Sequence, residues 1–148
     1  MDEMIIRRAE LADLAAVTRL ALALWPDNEP EELSGELANL IREKEAAVFL
    51  CLQGSRAVGF AQCQLRRDYV EGCEHSPVGY LEGVYVEENF RRRGVAAAML
   101  KACESWALLQ GCREFASDCE LDNADSLRFH LASGFEEANR IICFTKKL

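Results

Sequence analysis

The stretch Arg91-Arg92-Arg93-Gly94-Val95-Ala96 is equipped to hold an anion. Three guanidinium groups stand beside a glycine, just before an Ala-rich amphipathic segment. The preceding run, Tyr80 to Val86, alternates aromatic or β-branched residues with smaller ones, as a strand does, and carries Gly83 in mid-run. Strand, Arg/Gly turn and helix bring turn N–H groups and a helix N-terminus to one point, and Gly94 removes a Cβ that would block the approach. A pyrophosphate-bearing cofactor is the expected occupant. The stretch lacks the Gly-Lys-Ser/Thr ending of a P-loop and the glycine spacing of a dinucleotide fold. A solvated basic turn capping a helix is the bland alternative. A second chemistry concerns cations: Asp68, Glu71 and Glu74 share the polar segment 67–79 with Tyr69, in a chain of net charge −8. Ordinary solubility charge is the alternative there.

Elements must position these groups. At 148 residues the chain fits one domain with a substantial core. Met4–Arg8 reads as a strand. Glu10 to Leu24 is helical, with Leu14, Val17, Ala21 and Leu24 on one face, and Trp25-Pro26 ends it. Pro30 opens a second helix with a stripe of Leu33, Leu37, Leu40 and Ile41. Ala46–Gln53 and Arg56–Arg66 form a hairpin about Gly54-Ser55, and a long loop runs to Gly79. After the strand and Arg turn comes a helix to Gln110, stopped by Gly111, then a strand at Arg113–Ser117. That unit predicts a parallel pair with a right-handed crossover. A helix over Asn123–Ser133 and two closing strands within Phe135–Lys147 complete an α/β (α+β) domain.

Other classes recede on composition. The excess of 25 acidic over 17 basic residues argues against nucleic acid. No apolar run reaches membrane-spanning length, and Met1–Glu10 lacks a signal-peptide core, so a cytoplasmic chain away from membranes is expected. Seven scattered cysteines, none in a Cys-x-x-Cys pair, support neither a zinc site nor a disulfide framework. No metal is expected.

Arg91-x-x-Gly94-x-Ala96 resembles the acyl-CoA pyrophosphate signature of the GNAT superfamily of N-acetyltransferases. The segment Asn123-Ala-Asp-Ser126-Leu-Arg-Phe129-His130-Leu-Ala-Ser-Gly134-Phe135 resembles its second signature: an Asn at a helix start, an aromatic residue, then Gly-Phe. A closer likeness runs through Leu24-Trp25-Pro26, Asp68-Tyr69-Val70-Glu71-Gly72-Cys73, Ser76-Pro77, Leu81-Glu82-Gly83, Gly111-Cys112-Arg113-Glu114 and Ala116-Ser117-Asp118. These resemble aminoglycoside 6'-N-acetyltransferases, and the likeness spans nearly the whole chain. It implies acetyl-CoA as cosubstrate, a polycationic aminoglycoside as acceptor and a homodimer. It also implies a mixed sheet of six to seven strands splayed between the fourth and fifth, flanked by about four helices.

The same resemblance assigns residues. A bulge at Gly83 opens the splay, and the backbone of Val84, Tyr85 and Val86 pairs with the pantetheine arm. The turn Arg91, Arg92, Arg93, Gly94, Val95, Ala96 takes the pyrophosphate, and Asn123 adds a cofactor contact. Asp118 is the better general-base candidate and Glu82 the better ammonium anchor. Trp25, Asn28, Tyr69 and Asn139 line the sugar side with these two acids; Asn139 stands where relatives can offer another acid. His130 stands where many members place a tyrosine that protonates the departing thiolate; a packed, hydrogen-bonded helix histidine is the alternative. Cys119 invites a covalent acetyl-enzyme, yet no neighbour in sequence activates it, and direct transfer fits the superfamily better. A polyamine or protein-amine acetyltransferase is the rival enzyme, and a non-catalytic acyl-CoA-binding module the rival of another class.

Overall fold

A computed structural model describes residues 3–148. Five strands form one sheet in the order β1-β2-β3-β4-β5: β1 Met4–Arg8, β2 Ala46–Gln53, β3 Arg56–Arg66, β4 Val78–Val86 and β5 Phe115–Ser117. The first three pairings are antiparallel and β4–β5 is parallel, as the strand–helix–strand unit demands. Four helices flank the sheet: α1 Leu14–Leu24, α2 Pro30–Arg42, α3 Val95–Leu109 and α4 Ala124–Ala132.

Sequence accounts for the local boundaries. Pro30 occupies the first turn of α2, where its missing N–H costs nothing, and the Glu29 side chain accepts from the N–H groups of Glu31 and Glu32. The predicted stripe is realised, with Leu33 and Leu37 buried. The sheet is covered on both faces. Val17, Leu20 and Ala21 of α1, with Leu33 and Leu37, pack on Val48, Leu50 and Phe60. Met99, Leu100, Cys103 and Trp106 of α3 pack on the opposite side against Ala47, Cys63 and Leu81. Strands buried on both faces read as continuous apolar runs, which is how β2 and β3 read. Phe60 is fully buried and meets the Trp25 ring edge-on at 5.9 Å. Truncating Phe60 to Ala would leave a cavity under Trp25 and cost about 3–5 kcal/mol.

The strand count differs from expectation: five, not six to seven. Segment 133–148 carries no regular element. Its Ile141, Ile142 and Phe144 are 71%, 79% and 90% exposed. β5, the edge strand nearest this segment in sequence, is only three residues long and offers it a short ladder at most. Among the described residues no helix is long and apolar enough to cross a membrane.

Candidate active site

The site grows from a fault in the β3–β4 ladder. Gln62 faces Gly83 and Cys63 faces Leu81, leaving Glu82 as an extra residue on β4. Gly83 is glycine for reasons of space, because a Cβ there would stand 2.5 Å from Trp25 Cζ2. The bend continues into a separation. β4 pairs with β5 only through Gly79, Tyr80 and Leu81, so its remaining residues, Glu82 to Val86, have no described strand on that side. Ser117 Oγ lies 3.2 Å from the Leu81 carbonyl at the point where the two strands part.

At the far end of this open edge the chain turns into α3. Arg92 and Gly94 both take left-handed backbone conformations, with φ of +62° and +78°. Left-handed residues of this kind recur in backbone anion nests, and this pair stands directly before the N-terminus of α3. A Cβ on Gly94 would meet nothing within 4 Å, so the positive φ, rather than crowding within the chain, calls for glycine there. The open space in front is what a bound diphosphate requires. Arg91 is tied inward, its Nε donating to the Val86 carbonyl at 2.7 Å. Arg93 lies over the Phe90 ring at 5.5 Å.

At the near end stand two acids, each held by a residue that sequence reasoning missed. Arg66 donates to Glu82 Oε1 from Nε at 3.2 Å and from Nη2 at 2.8 Å. The same guanidinium lies 3.4 Å above the centre of the Tyr80 ring. Tyr80 in turn donates its hydroxyl to Asp118 Oδ2. Burial first, and the bond to Asp118 second, push the Tyr80 hydroxyl well above the usual phenol range, so it remains a donor at any working pH. Arg66 and Tyr80 thus link two carboxylates that lie 36 positions apart in the chain. No periodicity could have revealed this.

A cavity of about 400 Å³ opens on the helical side of Glu82. Trp25, Asn28, Glu36 and Gln62 line it with Glu82, and leucines of α2 form its apolar wall. Glu36 and Gln62 were also missed. Gln62 had a readable signal, a lone amide inside the buried run of β3; Glu36 had none.

Such a sheet, opened between β4 and β5 with an Arg/Gly turn at one end and acids at the other, matches known proteins closely. Residues 14–135 fit the sequence pattern of the acetyltransferase (GNAT) family. The chain belongs to the GNAT acetyltransferase family. Among GNAT relatives, an aminoglycoside N(6')-acetyltransferase type 1 of Stenotrophomonas maltophilia is 45% identical over 97% of this chain and 93% of its own. One of the same description from Serratia marcescens is 42% identical over 92% and 94%. The solved structure of an aminoglycoside N-acetyltransferase AAC(6')-Iy in complex with CoA superposes with a TM-score of 0.97 at 36% identity, covering 100% of this chain and 97% of that one.

Within this GNAT fold the expected site residues fall into three groups. Glu82, Trp25 and Asn28 share the cavity, and Asp118 reaches them through Tyr80 and Arg66. Val84, Tyr85 and Val86 form the open edge leading to the turn 91–96. Tyr69, Asn139, Asn123 and His130 do not line this cavity. Tyr69 is 78% exposed and donates to Glu71 rather than lining the cavity. Asn139 is exposed, next to Ala138, which packs at Gly72 of the same loop. Asn123 caps α4, its Oδ1 accepting from Ser126 N–H at 3.1 Å. His130 has both nitrogens engaged. Nδ1 lies 2.7 Å from the Ser126 carbonyl, which can only accept, so Nδ1 carries a proton. Nε2, 2.8 Å from Ser117 Oγ, is then the acceptor in the neutral ring.

The loop that carries Tyr69 is anchored by another unforeseen pair. Glu114 accepts from the N–H groups of Glu74 and His75 and lies 2.7 Å from His75 Nδ1. The His75 ring, then these amide donors, hold the Glu114 carboxyl below the usual range. Cys119 is exposed and free. Among the described residues no cluster has the composition of a metal site.

Proposed function

We infer that this protein transfers the acetyl group of acetyl-CoA to the 6'-amino group of aminoglycosides, by direct attack of the amine on the thioester. The observation that carries this is the continuous track along β4: a curled anion turn, an unpaired strand edge, then two carboxylates beside an aromatic-lined cavity. A relative of the same fold was solved with a bisubstrate analogue, CoA-S-monomethyl-acetylneamine, at a TM-score of 0.95 and 36% identity. That analogue joins the two halves of the reaction in one molecule, which supports a ternary complex.

The chain's residues take these parts. Backbone N–H groups of 91–96 and the start of α3 hold the pyrophosphate, and the Val84–Val86 edge hydrogen-bonds the pantetheine arm. An N–H near Val84 faces the thioester oxygen; a fixed donor of that kind is worth about 3 kcal/mol. The acceptor arrives as an ammonium. Glu82 attracts it, and Asp118 takes its proton, directly or through water. Tyr80 keeps Asp118 oriented, and Arg66 does the same for Glu82. The amine lone pair forms the C–N bond as the C–S bond breaks, the nitrogen passes its surplus proton to water, and CoA leaves as the thiolate. His130 is better placed to hold α4 against β5 than to meet that thiolate, and water supplies its proton.

The decisive measurement is CoA release with kanamycin, spermidine and a lysine peptide in parallel. Turnover of kanamycin alone is expected. Turnover of spermidine or peptide without kanamycin would overturn the reading, and acetyl-CoA binding without any turnover would leave a non-catalytic module.

Two further features extend the proposal. The exposed apolar side chains of Ile141, Ile142 and Phe144 favour a homodimer that covers them. Sedimentation at micromolar concentration should give twice the monomer mass, and a monomer would refute it. The cytoplasm suits both an intracellular cosubstrate and seven free thiols.

A further inference from the structure

The cavity beside Glu82 holds more polar chemistry than one amine needs. Its volume of about 400 Å³ lies within the ~300–1,000 Å³ of ligand pockets. Glu82 already has a cation, since Arg66 grips its Oε1. Glu36, on the solvent side of the same cavity, has no ion pair or hydrogen bond to a described residue. It sits in the middle of α2, beyond the first turn where Glu31 and Glu32 answer the helix dipole. Gln62 lines the cavity's inner side. At 7% exposure it is the one buried polar side chain among the described residues, with no side-chain hydrogen bond found to any of them. Its amide tip reaches the cavity; among the described residues the fully buried side-chain nitrogen without a partner is Trp106 Nε1, in the core on the other face. Its neighbours Phe60, Ala61 and Cys63 show that apolar residues fit this stretch of β3.

We propose that Glu36 and Gln62 form a second recognition subsite, which takes an ammonium and a hydroxyl from an aminoglycoside ring other than the one acetylated. The inference rests on the aminoglycoside reading above. An aminosugar ring has the required chemistry on every side. Its C–H face packs on Trp25 and the α2 leucines, a hydroxyl or amine meets the Gln62 amide, and an equatorial ammonium reaches Glu36. The unpaired charge on α2 and the unpaired amide on β3 then have one explanation. The subsite selects for polycations, because a one-ring amine held at the acetylation site has no second ammonium to present to Glu36.

The test compares kanamycin with a one-ring amine, methyl 6-amino-6-deoxyglucoside, on wild-type protein, Glu36→Gln and Gln62→Leu. Glu36→Gln should raise KM for kanamycin about fivefold at low salt, with kcat little changed. The rise should shrink in added KCl, and the one-ring amine should shift by less than twofold. Gln62→Leu should weaken kanamycin about threefold while raising Tm, since the core gains an apolar residue of similar size. An equal KM rise for both amines, or none for kanamycin, overturns the proposal. So does a Gln62→Leu protein that loses Tm and affinity together, which would make Gln62 structural. Calorimetry of kanamycin with CoA present reads the subsite without turnover. Binding that depends on Glu36 in a protein releasing no CoA would keep the subsite and refute the acetylation.

Discussion

The two ends of the β4 track are built on different principles. The turn 91–96, which we propose takes the diphosphate, is contiguous, and what it offers is main-chain N–H groups beside two left-handed residues and a helix start. The acid end is assembled from Trp25, Glu36, Gln62, Arg66, Tyr80, Glu82 and Asp118, drawn from the end of α1, from α2, β3 and β4, and from the end of β5, and its chemistry is all side chain. Backbone donors suit a cosubstrate whose diphosphate never varies. Side chains suit an acceptor whose charges and rings do vary, because each can change without disturbing the strand beneath it.

The largest effect should come from Asp118→Asn. Loss of the proton acceptor is expected to lower kcat/KM about 100-fold or more, with KM for acetyl-CoA unchanged. CoA release measured against both substrates reads this, and wild-type kcat/KM would remove Asp118 from the base role. Gly94→Val attacks the other end. A β-branched residue at φ +78° is strained by about 1–2 kcal/mol. KM for acetyl-CoA should rise about tenfold while KM for kanamycin holds. If both constants moved together, the two ends would not be separable.

Smaller effects test the supports. Tyr80→Phe removes the donor to Asp118 and should reduce kcat about tenfold, with cosubstrate affinity unchanged. Arg66→Lys keeps the charge but loses the two-point grip on Glu82 and the stacking on Tyr80. Kanamycin kcat/KM should fall about threefold to fivefold.

The smallest effect lies outside both ends. Asp13, which pairs with Arg7 and accepts from the Glu10 N–H, titrates at about 2 against an ordinary 3.8. Its folded form is therefore the stronger acid. The pair supports the fold above pH ~4 and loses that support as pH falls toward 2. Denaturation between pH 2 and 5 should show Asp13→Asn to be less stable at the upper end only, with kcat/KM at neutral pH unchanged. A change in activity would mean that the far strand communicates with the site.

Much of the fold was legible because short-range rules produced it. Pro30 opening α2, Gly111 ending α3 and the apolar runs of β2 and β3 depend on neighbours within a few positions. The closing strands were not legible in the same way. Ile141-Ile142-Cys143-Phe144 has strand composition, but a strand also needs an edge, and β5 provides only three residues. Gly83 signalled the bulge correctly, while the ring that makes glycine necessary comes from Trp25, 58 positions earlier.

Sequence by itself determined where an anion could be bound, because the dihedral needs of Gly94 and the helix start after it are properties of adjacent residues. It also determined, through resemblance, which acids to watch. Only the tertiary structure decided how those acids are held. Tyr80 meets Asp118, and Arg66 covers Tyr80 while gripping Glu82, because a bulge turns one strand and a three-residue ladder releases its neighbour. Side-chain contacts across a sheet depend on register, and a single extra residue in one strand resets which groups face one another.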